Sequence, residues 1–182
     1  SSLFTIPKRP KAEQLTVDYE AETVTIPSDY LWEAGKTEPS VIASSPVTIG
    51  LAVYLDDASE GDWSIYYYRK HTDSSFRSNV ARLAVPKRSA APVFTIDYVN
   101  EKTMEIAGGE HTFEFLDTPG EFNGSGTRVN LEPSDTSSRI LKYYKKATAT
   151  DFKTADGLLN IPRRPTRPSL NWNSSTGVVT DR

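Results

Sequence analysis

Phe4-Thr5-Ile6-Pro7-Lys8-Arg9-Pro10, Leu83-Ala84-Val85-Pro86-Lys87-Arg88-Ser89 and Leu159-Asn160-Ile161-Pro162-Arg163-Arg164-Pro165 are three copies of one box. Each is a short apolar strand end, a proline and two cations, with a second proline in two of the copies. Pro7 to Pro86 is 79 residues and Pro86 to Pro162 is 76. A recurrence of this size marks an array of similar units. A second stretch, just downstream of each box, recurs as well: Leu15-Thr16-Val17-Asp18-Tyr19, Phe94-Thr95-Ile96-Asp97-Tyr98 and, degraded, Leu170-Asn171-Trp172-Asn173-Ser174. Two periods use most of the 182 residues. Each unit of about 78 residues is large enough for one small core. The reading is therefore a first module over 1–86, a second over 87–164, and the opening hairpin of a third repeat over 165–182.

Composition narrows the function classes. A net charge of −3 demands no polyelectrolyte partner, because the cations sit among plentiful Asp and Glu. Nucleic-acid binding draws a basic patch on a basic domain, so nucleic acid is not an expected partner. With no cysteine, thiol catalysis, Cys-ligated zinc and a disulfide framework are excluded. No run of about 18 apolar residues exists to span a membrane. Ser1-Ser2 reads as an added scar, and no signal peptide is visible.

Every periodic stretch is strand-like. Leu15, Val17 and Tyr19, a Glu20-Ala21-Glu22 interruption and Thr23 to Ile26 predict a hairpin. Val93 to Tyr98 with Thr103 to Ile106, and Leu170 to Trp172 with Val178-Val179, repeat it. Tyr30-Leu31-Trp32 and Thr112 to Phe115 predict the next strand of each unit. Val47 to Leu55 alternates cleanly and predicts another, half-buried. Leu131 stands 76 residues beyond Leu55. Ile65 to Lys70 then aligns with Leu141 to Lys146, Thr72 with Thr148, and Phe76 with Phe152. Short strands at 8 to 12-residue intervals, punctuated by prolines, are the pattern of an antiparallel sandwich, with essentially no helix.

The order of Pro10, Pro92 or Pro168, then Leu15 or Phe94, Trp32, Leu131-Glu132-Pro133 and Tyr143-Tyr144 resembles a fibronectin type III or immunoglobulin-like module. The Ile-Pro-x-Arg-Pro box, the Asp-Tyr pair and Lys146 to Phe152 look like modules repeated in large surface proteins of Gram-positive bacteria. Two departures stand out: Phe113 replaces Trp32 in the second unit, and Asp56-Asp57 stands where Glu132-Pro133 would. The resemblance implies an all-β fold of two tandem sandwich modules and an extracellular, cell-wall location. It implies a spacer, stalk or adhesin role with no catalytic site and no cofactor, and neighbouring repeats of the same chain as partners.

Four sets of residues are candidate sites. Trp63, Tyr66, Tyr68, Arg69 and Lys70 could stack and hold a sugar or cell-wall polymer, the alternative function. Strand alternation sends Ile65 and Tyr67 to one face and Tyr66 and Tyr68 to the other. Matching Leu141 and Tyr143 favour Ile65 and Tyr67 inward, with Tyr66 and Tyr68 facing solvent. The basic pair of each box (Lys8-Arg9, Lys87-Arg88, Arg163-Arg164) could bind an acidic polymer, or simply keep a strand edge from pairing. Asp56, Asp57, Glu60 and Asp62 could offer oxygens to calcium, though a solvated loop is the simpler reading. His71 and His111 fall at non-matching positions, and no Gly-x-Ser-x-Gly motif marks a nucleophile, which argues against an enzyme. Asn123-Gly124-Ser125-Gly126 reads as a turn, not a phosphate cradle.

Overall fold

The computed structural model describes residues 5–103, 109–117 and 124–181. Phe4 of the first box, the predicted strand beyond Thr103, and Asn123 lie outside the described residues. By contacts the chain forms two compact units, 1–90 together with 146–155, and 91–145 together with 156–182. The expected boundary at 86/87 thus falls after Ala90, and 146–155 groups with the first unit.

In the first unit, β1 (Val17–Asp18), β2 (Thr23–Thr25) and β4 (Thr48–Gly50) form one antiparallel sheet in the order β1-β2-β4. A second sheet comprises β3 (Tyr30–Gly35), β5 (Trp63–Arg69) and β6 (Ala81–Val85), ordered β3-β5-β6. Its register sets Trp32 opposite Tyr67, and Ile65 opposite Leu83. One buried cluster draws on both sheets, with Val24 and Ile49 from the first and Tyr30, Ile65, Tyr67 and Val85 from the second.

The predicted strand over Val47 to Leu55 stops at Gly50. A single helical turn, α1 (Ala52–Leu55), comes next. In a strand Leu51, Val53 and Leu55 would share a face, whereas helical spacing pairs Leu51 with Leu55 and frees Val53. Leu51 and Leu55 are 0% and 2% exposed and Val53 is 71% exposed, so burial of the two leucines decides the geometry.

The second unit has β7 (Ile96–Asp97) paired with β8 (Lys102–Thr103). A four-stranded antiparallel sheet contains β9 (His111–Phe115), β10 (Gly124–Gly126), β11 (Arg139–Lys145) and β12 (Gly157–Ile161), ordered β10-β9-β11-β12. Phe113 stands opposite Tyr143 as Trp32 does opposite Tyr67, and Phe94, Phe113, Phe115, Leu141, Tyr143 and Ile161 form the core. Leu131 takes the place of Leu51 rather than of Leu55. Its N–H donates to the Glu101 carbonyl at 2.9 Å, as that of Leu51 does to the Glu22 carbonyl at 2.7 Å. Among the described residues no helix is long and apolar enough to cross a membrane.

The tail is β13 (Leu170–Asn173) paired with β14 (Val178–Asp181), and it hydrogen-bonds to no other strand among the described residues. Leu170, Trp172, Val178 and Val179 are each at least half exposed. Of the two partners expected for this hairpin, the second module or a neighbouring molecule, the sheet of the second module is not one among the described residues. Its turn chemistry nonetheless matches the other two hairpins. Asp18, Asp97 and Asn173 each accept backbone N–H bonds from the turn, and the last turn residue has positive φ: Glu22 at 53°, Glu101 at 53° and Gly177 at 66°.

Candidate functional site

The second cation of a box is the one the fold uses. The Arg88 backbone N–H donates to the Leu55 carbonyl at 2.8 Å, which sets its side chain beside the turn ending at Glu22. Its guanidinium grips both Glu22 oxygens, with Nη2 donating to Oε2 at 2.9 Å. Nε and Nη2 donate to Asp56, and Nη1 to the Lys153 carbonyl at 3.0 Å. The Arg88 and Glu22 side chains are only 8% and 9% exposed. The bond from Arg88 holds the Asp56 carboxyl below its usual range, and Glu22 first, then Asp56, push the Arg88 guanidinium upward. Arg164 repeats the arrangement in the second unit, donating from Nη2 to Glu101 Oε2 at 2.6 Å and from its backbone N–H to the Ser134 carbonyl. There the two side chains are 47% and 44% exposed. Lys8, Lys87 and Arg163, the first cations, are exposed.

Box spacing does not name Glu22 and Glu101 as partners, yet a signal is present. Both close a four-residue turn, and both do so at a φ that favours glycine. A side chain kept where glycine would be easier points to a use for that side chain.

The tyrosine strand does not form one platform. Ile65 and Tyr67 face the core as expected, at 0% and 3% exposed. Tyr66, expected at the surface, is 7% exposed. It lies between Glu33 of β3 and Arg82 of β6 in the cross-strand register, and neighbours that long shield a central ring. Tyr68 is half-buried, with the Arg77 guanidinium 5.0 Å from its ring centre and its hydroxyl donating to the Ile42 carbonyl at 3.4 Å. Trp63 belongs to the opposite, core-facing side. Its Nε1 donates to Asp57 at 2.6 Å and its ring packs 5.1 Å from Tyr54. Arg69 shares that parity and Lys70 comes after the strand, its Nζ donating to the Ser28 carbonyl at 3.0 Å. The five residues are split across the sheet.

The acidic loop is likewise internally engaged. Asp57 accepts from Ser59 Oγ at 2.6 Å, from the Ser59 N–H and from Trp63, with Lys36 Nζ 3.2 Å away. These donors, Ser59 foremost, hold its carboxyl far below the usual range. Asp62 accepts from the Lys87 N–H at 3.3 Å. Among the described residues no group of three acids or histidines could hold a metal ion.

His111 stands opposite Lys145 as Tyr30 stands opposite Arg69, so it fills the core position of a tyrosine. It is 1% exposed and its ring sits 4.9 Å edge-on to Phe94. Burial, with the Lys145 charge adding to it, lowers its pKa. The unfolded chain therefore takes up this proton at a higher pH than the folded one. Stability from His111 is complete above the ordinary histidine range and falls as the pH drops below about 6.5. Unfolding of the second unit between pH 7.5 and 5 will show a falling Tm and an unfolding free energy that drops by up to roughly 1.4 kcal/mol per pH unit. His111→Phe will flatten that slope. An unchanged slope in the variant would remove His111 as its cause.

No protein-family model, no curated protein and no solved structure matches this chain.

Proposed function

We propose that the chain is a pair of tandem β-sandwich modules of fibronectin type III or immunoglobulin-like kind, serving as a non-catalytic spacer or adhesin segment of a bacterial surface protein. The observation that carries this reading is the closure of each unit by its own box arginine. Arg88 bonds back to Glu22 and Arg164 to Glu101, so the chain leaving each unit is tied to that unit's first hairpin. The second cation of each of these boxes is thereby engaged within its own unit. Two antiparallel sheets sharing one core support the sandwich assignment of the first unit. Trp63 lies on the opposite side of the sheet from Tyr66 and Tyr68, which weighs against one shared stacking surface for a sugar.

A spacer resists tension module by module. Pulling a single chain from its ends will give two unfolding steps, each releasing roughly 25 nm of contour. In parallel, a panel of purified glycans and cell walls will show no saturable binding. One sawtooth event per chain, or a glycan bound by the parent and lost in Tyr66→Ala, would overturn the proposal, the latter in favour of a carbohydrate-binding module.

A further inference from the structure

Two loops of this chain present the same phenylalanine-tipped turn. The Thr72 N–H donates to the Ser75 carbonyl at 3.0 Å, and the Thr148 N–H to the Asp151 carbonyl at 2.9 Å. In each the threonine hydroxyl bonds the side chain three residues on, at 2.9 Å. Phe76 and Phe152 come directly after, and two residues later a buried hydroxyl anchors each loop, Ser78 and Thr154.

Phe152 is seated. Within the first unit its ring lies 4.8 Å from that of Tyr19, and the Ala155 N–H donates to the Ser89 carbonyl of the second box at 2.8 Å. The depression around it is walled by Val17, Tyr19, Leu51, Pro86 and Arg88, and about 150 Å³ remains open beside the ring. The second unit builds the same depression from the equivalent residues Ile96, Tyr98, Leu131, Pro162 and Arg164. Among the described residues no aromatic from another loop fills this one, which is mostly apolar and about 300 Å³. Tyr98 is 71% exposed where Tyr19 is half-buried.

We propose that the depression in the second unit is the docking site for the phenylalanine-tipped turn of a further repeat of this kind, seated as Phe152 is on the first unit. The occupant's chemistry is that of the occupied copy: a Thr-x-x-Asp-Phe turn whose aromatic fills the apolar floor. Asp151 caps its own turn, accepting from the Thr148 and Thr150 hydroxyls, and lines the depression together with Lys87 and Arg88, as Arg163 and Arg164 line the one in the second unit. Phe76 of a second copy fits less well. The Asn79 N–H already donates to the Pro10 carbonyl at 3.2 Å, and Arg9 Nη1 to the Arg77 carbonyl at 3.4 Å. The first box thus holds the place beside Phe76 that the third box would need.

The test extends the chain without a foreign linker: residues 1–164 followed by a second copy of residues 89–182, joined at equivalent box positions. In the added copy Tyr98 is replaced by Phe, so that nitration of the original Tyr98 is read alone. Relative to the 182-residue chain, its nitration rate will fall at least tenfold, and Phe152→Ala in the added copy will restore it. A synthetic peptide of residues 146–155 is the independent arm. At about 5 mM it will slow nitration of Tyr98 in the 182-residue chain, and its Phe152→Ala counterpart will not. A Tyr98 rate unchanged in both arms, or slowed regardless of Phe152, overturns the proposal. Protection that rises with concentration of the 182-residue chain and vanishes in Phe76→Ala also overturns it, assigning the depression to a second copy.

Discussion

Arg88→Met will lower the unfolding free energy of the first unit by about 3–4 kcal/mol, and its Tm by roughly 15 °C, while Arg164→Met costs the second unit no more than about 1 kcal/mol. Both arginines occupy the same place in the same box and bond the same turn glutamate, so motif alone predicts equal effects. Burial separates them. The Arg88–Glu22 pair is less than a tenth exposed, and removing the cation leaves a carboxylate in the interior with no countercharge. The Arg164–Glu101 pair is close to half exposed, and water takes up what the arginine gave. Two further variants locate the cost. Arg88→Met with Glu22→Leu removes both charges and will recover most of the loss, because a desolvated pair is hard to break but can be replaced. Glu22→Gly removes the pair as well, but relieves the positive φ at 53°, and will be milder than Arg88→Met. Trp32 and Trp63 lie in the first unit and Trp172 of the tail is already exposed, so the change in tryptophan fluorescence in denaturant reports the unfolding of the first unit. Equal costs for Arg88→Met and Arg164→Met would show that the clamp contributes as a surface ion pair and that burial is not what strengthens it.

What the sequence disclosed and what it hid divide along physical lines. Spacing exposed the placing of Ile65 and Tyr67 on the inner face and the matching register of Trp32 and Phe113, because each depends only on residue type and interval. The helical turn over Ala52–Leu55 was hidden. Leu51, Val53 and Leu55 satisfy a period of two, and the alternative spacing of four is visible only once Val53 is seen in solvent. Register hid the fate of Tyr66. Alternation puts it on the outer face correctly, but whether that face is wet depends on which side chains flank it across the sheet, and Glu33 and Arg82 are distant in sequence. The Arg88–Glu22 pair spans 66 residues, and only the recurrence of a glutamate at the end of both turns hints at it. His111 looked like a stray because its counterpart is Tyr30, and histidine for tyrosine is not a match that spacing reveals.

Gly157→Ala will destabilise the second unit by about 2–3 kcal/mol, although the intrinsic preference runs the other way. Alanine in a strand interior is ordinarily better than glycine by roughly 0.5–1 kcal/mol, since glycine loses more backbone freedom. Opposite Gly157 across the β11–β12 register stands Tyr143, whose ring lies on the glycine. A β-carbon there would fall 2.5 Å from Cζ and 2.7 Å from the hydroxyl. Tyr143 has nowhere to retreat. It is 5% exposed, its hydroxyl donates to the Pro92 carbonyl at 2.7 Å, and Phe94 meets its ring edge-on at 4.6 Å. Overpacking of this kind costs about 1–3 kcal/mol, and losing the hydroxyl's bond in a dry site adds about 1 kcal/mol, so the clash outweighs the backbone gain. The first unit supplies the control, because Ala81 already occupies the equivalent position opposite Tyr67. Ala81→Gly there will cost only about 0.5–1 kcal/mol, the backbone term alone. Amide hydrogen exchange in β11 and β12 reads the second unit separately from the first. Tyr143→Leu destabilises by itself, but in its presence Gly157→Ala will become neutral or favourable, giving a coupling of at least about 2 kcal/mol. If Gly157→Ala leaves exchange unchanged in the parent, the ring of Tyr143 does not rest on the glycine and the packing described for this core is wrong.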